Sequence, residues 1–143
     1  GSLAVRLGYV LPLTASATGQ VFLAWLDRGV TRPILDEERN SARLSEENWT
    51  LNPDLIADTE RLEALIQGVR ERGYATSKNN INANFAAMAA PVFDHSGQIA
   101  ATVTVLGSDK SMTGTKAKAV TSVLLETTGR LSRRLGYVPR VRA

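Results

Sequence analysis

Cysteine is absent from this 143-residue sequence, and histidine occurs once, at His95. The first absence excludes disulfides and thiolate metal sites, and it fits a reducing compartment. The second leaves a lone histidine, which makes neither a zinc site nor a catalytic triad. No apolar run approaches membrane-spanning length, and no signal peptide, internal repeat or low-complexity linker is visible. "GYVLPLTASATGQ" lacks the lysine and the spacing of a phosphate-binding loop, and "TASATG" is not a G-x-S-x-G nucleophile turn. The carboxylates of "PDLIADTE" and "DEER" fall on surface loops and helix starts, where the helix dipole accounts for them. These absences predict no catalytic residues, no metal, no cofactor and no membrane contact.

What is present is an ordinary globular composition, 43% apolar and 22% charged, long enough for one domain with a core. Net charge is 17 − 14 = +3. The excess collects in "GRLSRRLGYVPRVRA", which reads as a solvated helix face and tail. It lacks the charge density and interleaved aromatics of a nucleic-acid surface.

Hydrophobic spacing predicts three helices. "LPLTASATGQVFLAWLDRG" reads as a turn into a helix capped by Thr14 or Ser16, with Phe22, Trp25 and Leu26 on one face and Gly29 as its stop. "DTERLEALIQGVRERGY" is capped by Asp58 or Thr59, carries Leu62, Leu65, Ile66 and Val69 as its stripe, and stops at Gly73. "MTGTKAKAVTSVLLETTGRLSRRLG" is a long final helix with Val120, Val123, Leu124, Thr127, Leu131 and Leu135 inward, ending at Gly136. The stretch through "ILDEERNSARLSEENWTLNP" reads as irregular with one short helix.

Between the last two helices lies a hairpin, "NFAAMAAPVFD-HSG-QIAATVTVLG", with Asp94, Ser96 and Gly97 as turn residues. Pairing Phe93 with Gln98 sets Val92 opposite Ile99, Ala90 opposite Ala101, Met88 opposite Val103 and Ala86 opposite Val105 on a wholly apolar face. The other face then pairs Ala89 with Thr102, Ala87 with Thr104 and Phe85 with Leu106. Such small side chains either leave a hollow, polar at its threonines, or let a helix lie close. Ala17, Thr18 and Gly19 stand at a helix N-terminus. They either offer backbone N–H groups to an anion or simply allow close packing.

Four stretches resemble IclR-type transcriptional regulators. "LPLTASATGQVFLAWL" is similar to their P-L-h-x-t-A-x-G-k-a-x-L-A-x-L segment, and "IQGVRERGYA" to their "ir-x-x-Gya" helix end. "AAMAAPVFDHSGQIAATVTVLG" resembles their "ciAaPVfd-x-x-G-x-vaalsvsG" hairpin, and "TTGRLSRRLGY" their closing "a-x-x-lS-x-x-LG" helix. The resemblance implies an α+β fold, a GAF-like curved antiparallel sheet flanked by helices. It makes residues 1–143 an effector-binding domain that takes a small organic acid and associates with further copies, as dimer or tetramer. DNA is then contacted only through a separate winged helix-turn-helix domain absent from this chain, in a cytoplasmic regulator. The family's domain opens with a helix and strands of which only "LAVRLGYVLPL" is present, so an exposed sheet edge is expected.

Carried over by position, the family's carboxylate-binding amides fall on Ala17 and Thr18. Its pocket positions fall on Phe85, Ala87, Thr104 and Leu106. Asn80 and Asn84 stand at or near a common glutamate and glycine of the family. Asn80 supplies a neutral donor and acceptor at the pocket rim, or else serves an ordinary solvent loop. Thr104 and Leu106 replace two frequent serines, which predicts a ligand with a carboxylate and a modest apolar or aromatic body. The alternatives are a stand-alone binding or oligomerisation module of the same fold, with a small hydrolase least supported.

Overall fold

A computed structural model of the chain describes residues 8, 10–42, 53–78 and 84–140. Asn80 and its neighbours at 79–83 lie outside the described residues. The order is α1 (Ala17–Trp25), α2 (Arg28–Ala42), α3 (Pro53–Ala57), α4 (Thr59–Arg72), β1 (Ala75–Lys78), β2 (Phe85–Phe93), β3 (Ile99–Ser108), a 3₁₀ turn (Asp109–Met112) and α5 (Gly114–Arg134). Among the described residues the strands form one antiparallel sheet in the order β1-β2-β3. The α+β class expected from the sequence is the one observed.

Helices cover both faces of the sheet. On one face Ala75, Ala87 and Ala89 join a core with Ala17, Val21 and Ala24 of α1, and Ile66 and Val69 of α4. On the other, Ala86, Met88 and Ala90 pack with Met112 and with Leu124 of α5, backed by Val103, Val105 and Val120. Alternation along β2 produces this division, because successive side chains point to opposite faces.

α4 is where the sequence puts it. Asp58 accepts from Arg61 N–H at 3.1 Å as its N-cap, and Gly73 closes it with φ +82°. A residue with a Cβ adopts that φ rarely, so glycine is the natural stop. β1 follows at once and was not anticipated; four residues are too short to show a period.

Three expectations are corrected. α1 ends at Trp25, with Leu26 already extended, and Gly29 lies inside α2. α1 is also buried nearly all round, not on one face: Ala17, Gly19, Val21, Leu23 and Ala24 are covered, and Phe22 and Trp25 are half-buried. The "irregular" stretch is largely α2, 15 residues long and containing Pro33. Its covered positions are Thr31, Leu35 and Glu38, spaced i, i+4, i+7. Glycine, proline and two polar members hid that stripe.

The hairpin register is corrected by two residues. Met88 pairs with Val105, Ala89 with Thr104, Ala87 with Leu106 and Phe85 with Ser108. The loop holds five residues, since Phe93 pairs with Ile99, and Ala100 bulges before Val92 meets Ala101. Asp94 Oδ1 organises the loop, accepting from Ser96 N–H, Ser96 Oγ–H and Gln98 N–H. The Ser96 hydroxyl bond is the main cause holding that carboxyl below its usual value. A slip of two keeps every paired side chain on its expected face. Only Ile99, beyond the bulge, changes sides and joins the α1 core.

The inward stripe of α5 is corrected as well. Leu124, Thr128 and Ser132 are the buried residues, while Val123, Leu131 and Leu135 are exposed. The polar members fit because their hydroxyls bond back to their own helix, Ser132 to Thr128 C=O at 2.8 Å and Thr128 to Leu125 C=O at 3.3 Å. Ser132 Oγ also accepts from Phe93 N–H at 3.0 Å, tying α5 to the end of β2.

Candidate functional site

The segment ahead of α1 is held by its own backbone. Ser16 Oγ–H donates to Pro12 C=O at 2.8 Å, and the same oxygen accepts from Gly19 N–H at 2.8 Å. Ser16 is therefore the N-cap of α1, and Gln20 Nε2 donates to Thr14 C=O at 2.9 Å beside it. Ala17 and Thr18 occupy the first two helical positions, whose N–H groups have no carbonyl within the helix to bond. At the other end of α1, Arg70 Nε donates to Ala24 C=O at 2.5 Å.

Gly19 is required by proximity. A Cβ there would stand 2.2 Å from Pro12 O and 2.6 Å from Leu13 Cα. The loop thus lies directly on the first turn of α1.

Glu38 reaches this loop from α2. Its Oε2 accepts from Thr14 Oγ1–H at 3.0 Å and from Thr14 N–H at 3.4 Å, while Oε1 is buried with no hydrogen-bond partner. Burial pushes the carboxyl above its ordinary value of 4.5, against the opposing bonds from Thr14 and from Leu13 N–H. The native state therefore holds this proton more tightly than the unfolded chain. The stabilisation is fully present below 4.5 and is lost as pH rises through the raised value. Unfolding free energies of wild type and Glu38→Gln, measured by urea titration, should diverge in favour of wild type as pH falls from neutral towards 4.5. A difference that stays constant with pH would show that Glu38 is not desolvated. The sequence reading missed this pair, treating Thr14 only as a cap. The helical spacing of Thr31, Leu35 and Glu38 was the available signal.

Five of the sequence-selected residues come together. The hydroxyls of Thr18 and Thr104 are 2.6 Å apart and share a hydrogen bond, joining the first turn of α1 to β3. Ala17 packs in the core that includes Ala87, and Ala87 pairs with Leu106. Phe85 lies two residues along β2 on the same face, half-buried at its end, paired with Ser108. Asn80 lies outside the described residues. α1 lies close over Ala87 and Ala89, so in this structure the small side chains serve close packing. The Thr102 hydroxyl, on the same face of β3, is buried without a partner. Among the described residues, no group of three or more His, Cys, Asp and Glu is placed to hold a metal. No helix among them is long and apolar enough to cross a membrane.

The site therefore sits where an antiparallel sheet lies between helices and a helix start docks on the return strand. The crystal structure of Pseudomonas aeruginosa HmgR superposes with a TM-score of 0.72 at 31% identity, covering 97% of this chain and 53% of that one. Residues 2–133 match the family described as bacterial transcriptional regulator IclR, C-terminal. The chain belongs to the IclR family. It is 28% identical over 134 residues to the HTH-type transcriptional regulator KdgR of Escherichia coli, covering 92% of this chain and 47% of that protein. It is 28% identical over 141 residues to KipR of Bacillus subtilis, covering 96% of this chain and 53% of that protein. The chain thus spans about half the length of the curated relatives it matches, and those relatives are transcriptional regulators.

Proposed function

We propose that this domain, residues 1–143, senses a small metabolite bearing a carboxylate, within a longer cytoplasmic regulator that contacts DNA through another domain. The observation that carries this reading is the Thr18–Thr104 contact. It sets two hydroxyls side by side at the first turn of α1, the helix start to which Ala17 and Thr18 belong. Two hydroxyls bonded to each other use one proton between them. A carboxylate inserted there accepts both, and accepts from the helix-start amides, where the dipole favours an anion. Insertion moves α1 relative to β3, so the ligand favours one arrangement of the two elements over the other. Once α1 has shifted, Phe85, Leu106 and the uncovered Ala87 supply an apolar wall for the ligand body, and Asn80 a neutral rim group.

A thermal-shift screen of small carboxylic acids tests this. Acids with an aromatic or short aliphatic body are expected to raise the melting temperature by several degrees, about 2.7 kcal/mol at a hundredfold excess over Kd. Thr104→Val and Thr18→Pro should each weaken the response about tenfold, by removing a hydroxyl and a helix-start donor. Binding restricted to short, highly polar acids would refute the ligand class. Stabilisation unaffected by either substitution would refute the site.

Subunit association is the second part of the proposal. It is supported by exposed Val123 and Leu131 on α5 and Leu135 just past its end, and by β3 at the edge of the described sheet. Val123, 64% exposed, is the sensitive position. Sedimentation velocity should show wild type self-associating and Val123→Asp shifted towards monomer. An unchanged distribution would place any interface elsewhere.

A further inference from the structure

A second cleft opens on the opposite face of the sheet, between β1 and the start of α5. α5 packs along β2, whose partner β1 directs Thr76 and Lys78 to the same face as Met88 and Ala86, with which they pair. The space left between β1 and α5 has a volume of about 440 Å³. Met88 and Met112 line its inner end, Thr76 and Lys78 one wall, and Lys118 and Ser122 the other. Two lysines face this space, and no carboxylate is among the described residues that line it.

From this geometry we infer a second binding site, for an amphipathic organic anion: one carboxylate or sulfonate head on an apolar body of one or two rings. Its volume falls within the range of roughly 300–1,000 Å³ typical of small-molecule sites. The two ammonium groups attract the head from opposite walls, and the first turn of α5 carries no acidic residue to neutralise them. The hydroxyls of Thr76 and Ser122 supply donors beside them. Methionine is unbranched and polarizable, so Met88 and Met112 can shape themselves to an apolar body. The Thr121 hydroxyl donates to Ala117 C=O at 2.8 Å, and its oxygen lies 3.3 Å from the Met88 sulfur, so Met88 packs against α5 at this cleft. Ala87 borders both regions, but the cleft lies against α5 on the Ala86 and Met88 side of β2, whereas Thr18 meets Thr104 on the α1 side.

Titration of the ¹⁵N-labelled chain with naphthalene-1-sulfonate tests the inference. The probe should saturate, with amide shifts centred on Thr76, Lys78, Lys118 and Ser122. Lys78→Glu and Lys118→Glu should each weaken it roughly fivefold, whereas Arg130→Glu, the same charge change on an exposed residue elsewhere on α5, should alter it less than about twofold. The neutral analogue 1-naphthalenemethanol should bind more weakly than the sulfonate. Each variant's dispersed spectrum reports that it is folded, and Lys118→Gln should weaken the probe without reversing charge. Shifts centred on Val103 and Val123, failure to saturate, or equal losses in Lys118→Glu and Arg130→Glu would overturn it.

Discussion

Gly19→Ala is expected to destabilise the domain by about 3 kcal/mol or more, the upper range for overpacking. The methyl group would meet Pro12 O at 2.2 Å and Leu13 Cα at 2.6 Å. Both are backbone atoms, so no rotamer change relieves the clash. Either the loop ahead of α1 lifts, breaking the Ser16 bond to Pro12 O, or α1 leaves the core it shares with α4 and the sheet. Gly68→Ala is the internal comparison. It lies in α4, and its added Cβ would meet only the end of the flexible Arg72 side chain, at 3.2 Å. Alanine there should be neutral or stabilising by up to about 1 kcal/mol through helix propensity. Urea unfolding of the two variants reads the contrast. A loss under about 1 kcal/mol at position 19 would mean that the loop is not seated on α1 as described.

Ala89→Leu should cost about 3 kcal/mol, by overpacking. Ala89 is fully buried, paired with Ala75 and Thr104, in the core with Ala17, Val21 and Ala24. A leucine on β2 would push α1 off the sheet and pull Thr18 from Thr104. Were there an open hollow over Ala89, the larger side chain would fill it and stabilise the fold. Thermal unfolding therefore separates close packing from vacancy at this position, and a raised melting temperature would contradict the packing described.

Much of the fold was legible in the sequence where local chemistry decides it. Asp58 and Gly73 bracket α4, Asp94 and Gly97 build the turn, and Gly136, with φ +85°, follows α5. Each acts through its own backbone or that of near neighbours. The site was partly legible for a related reason. Side-chain parity along β2 and β3 put Ala87, Thr104 and Leu106 on one face, and a register wrong by two leaves parity intact. α2 was not legible, because Gly29 and Pro33 imitate loop punctuation and its buried stripe includes Thr31 and Glu38. The inward face of α5 was misread because Thr128 and Ser132 satisfy their hydroxyls within the helix and can be buried like apolar residues.

By itself the sequence determined the hairpin turn, both ends of α4, the two-faced alternation of the hairpin and its likeness to one family of regulators. All of these depend on interactions spanning a few residues, or on a pattern that survives without coordinates. Only the tertiary structure decided the register with its bulge at Ala100, the burial of Glu38 against Thr14, and the meeting of Thr18 with Thr104 across 86 positions. Those depend on how closely α1 approaches the sheet. That distance is set by the combined volume of side chains from distant segments, which no local pattern records.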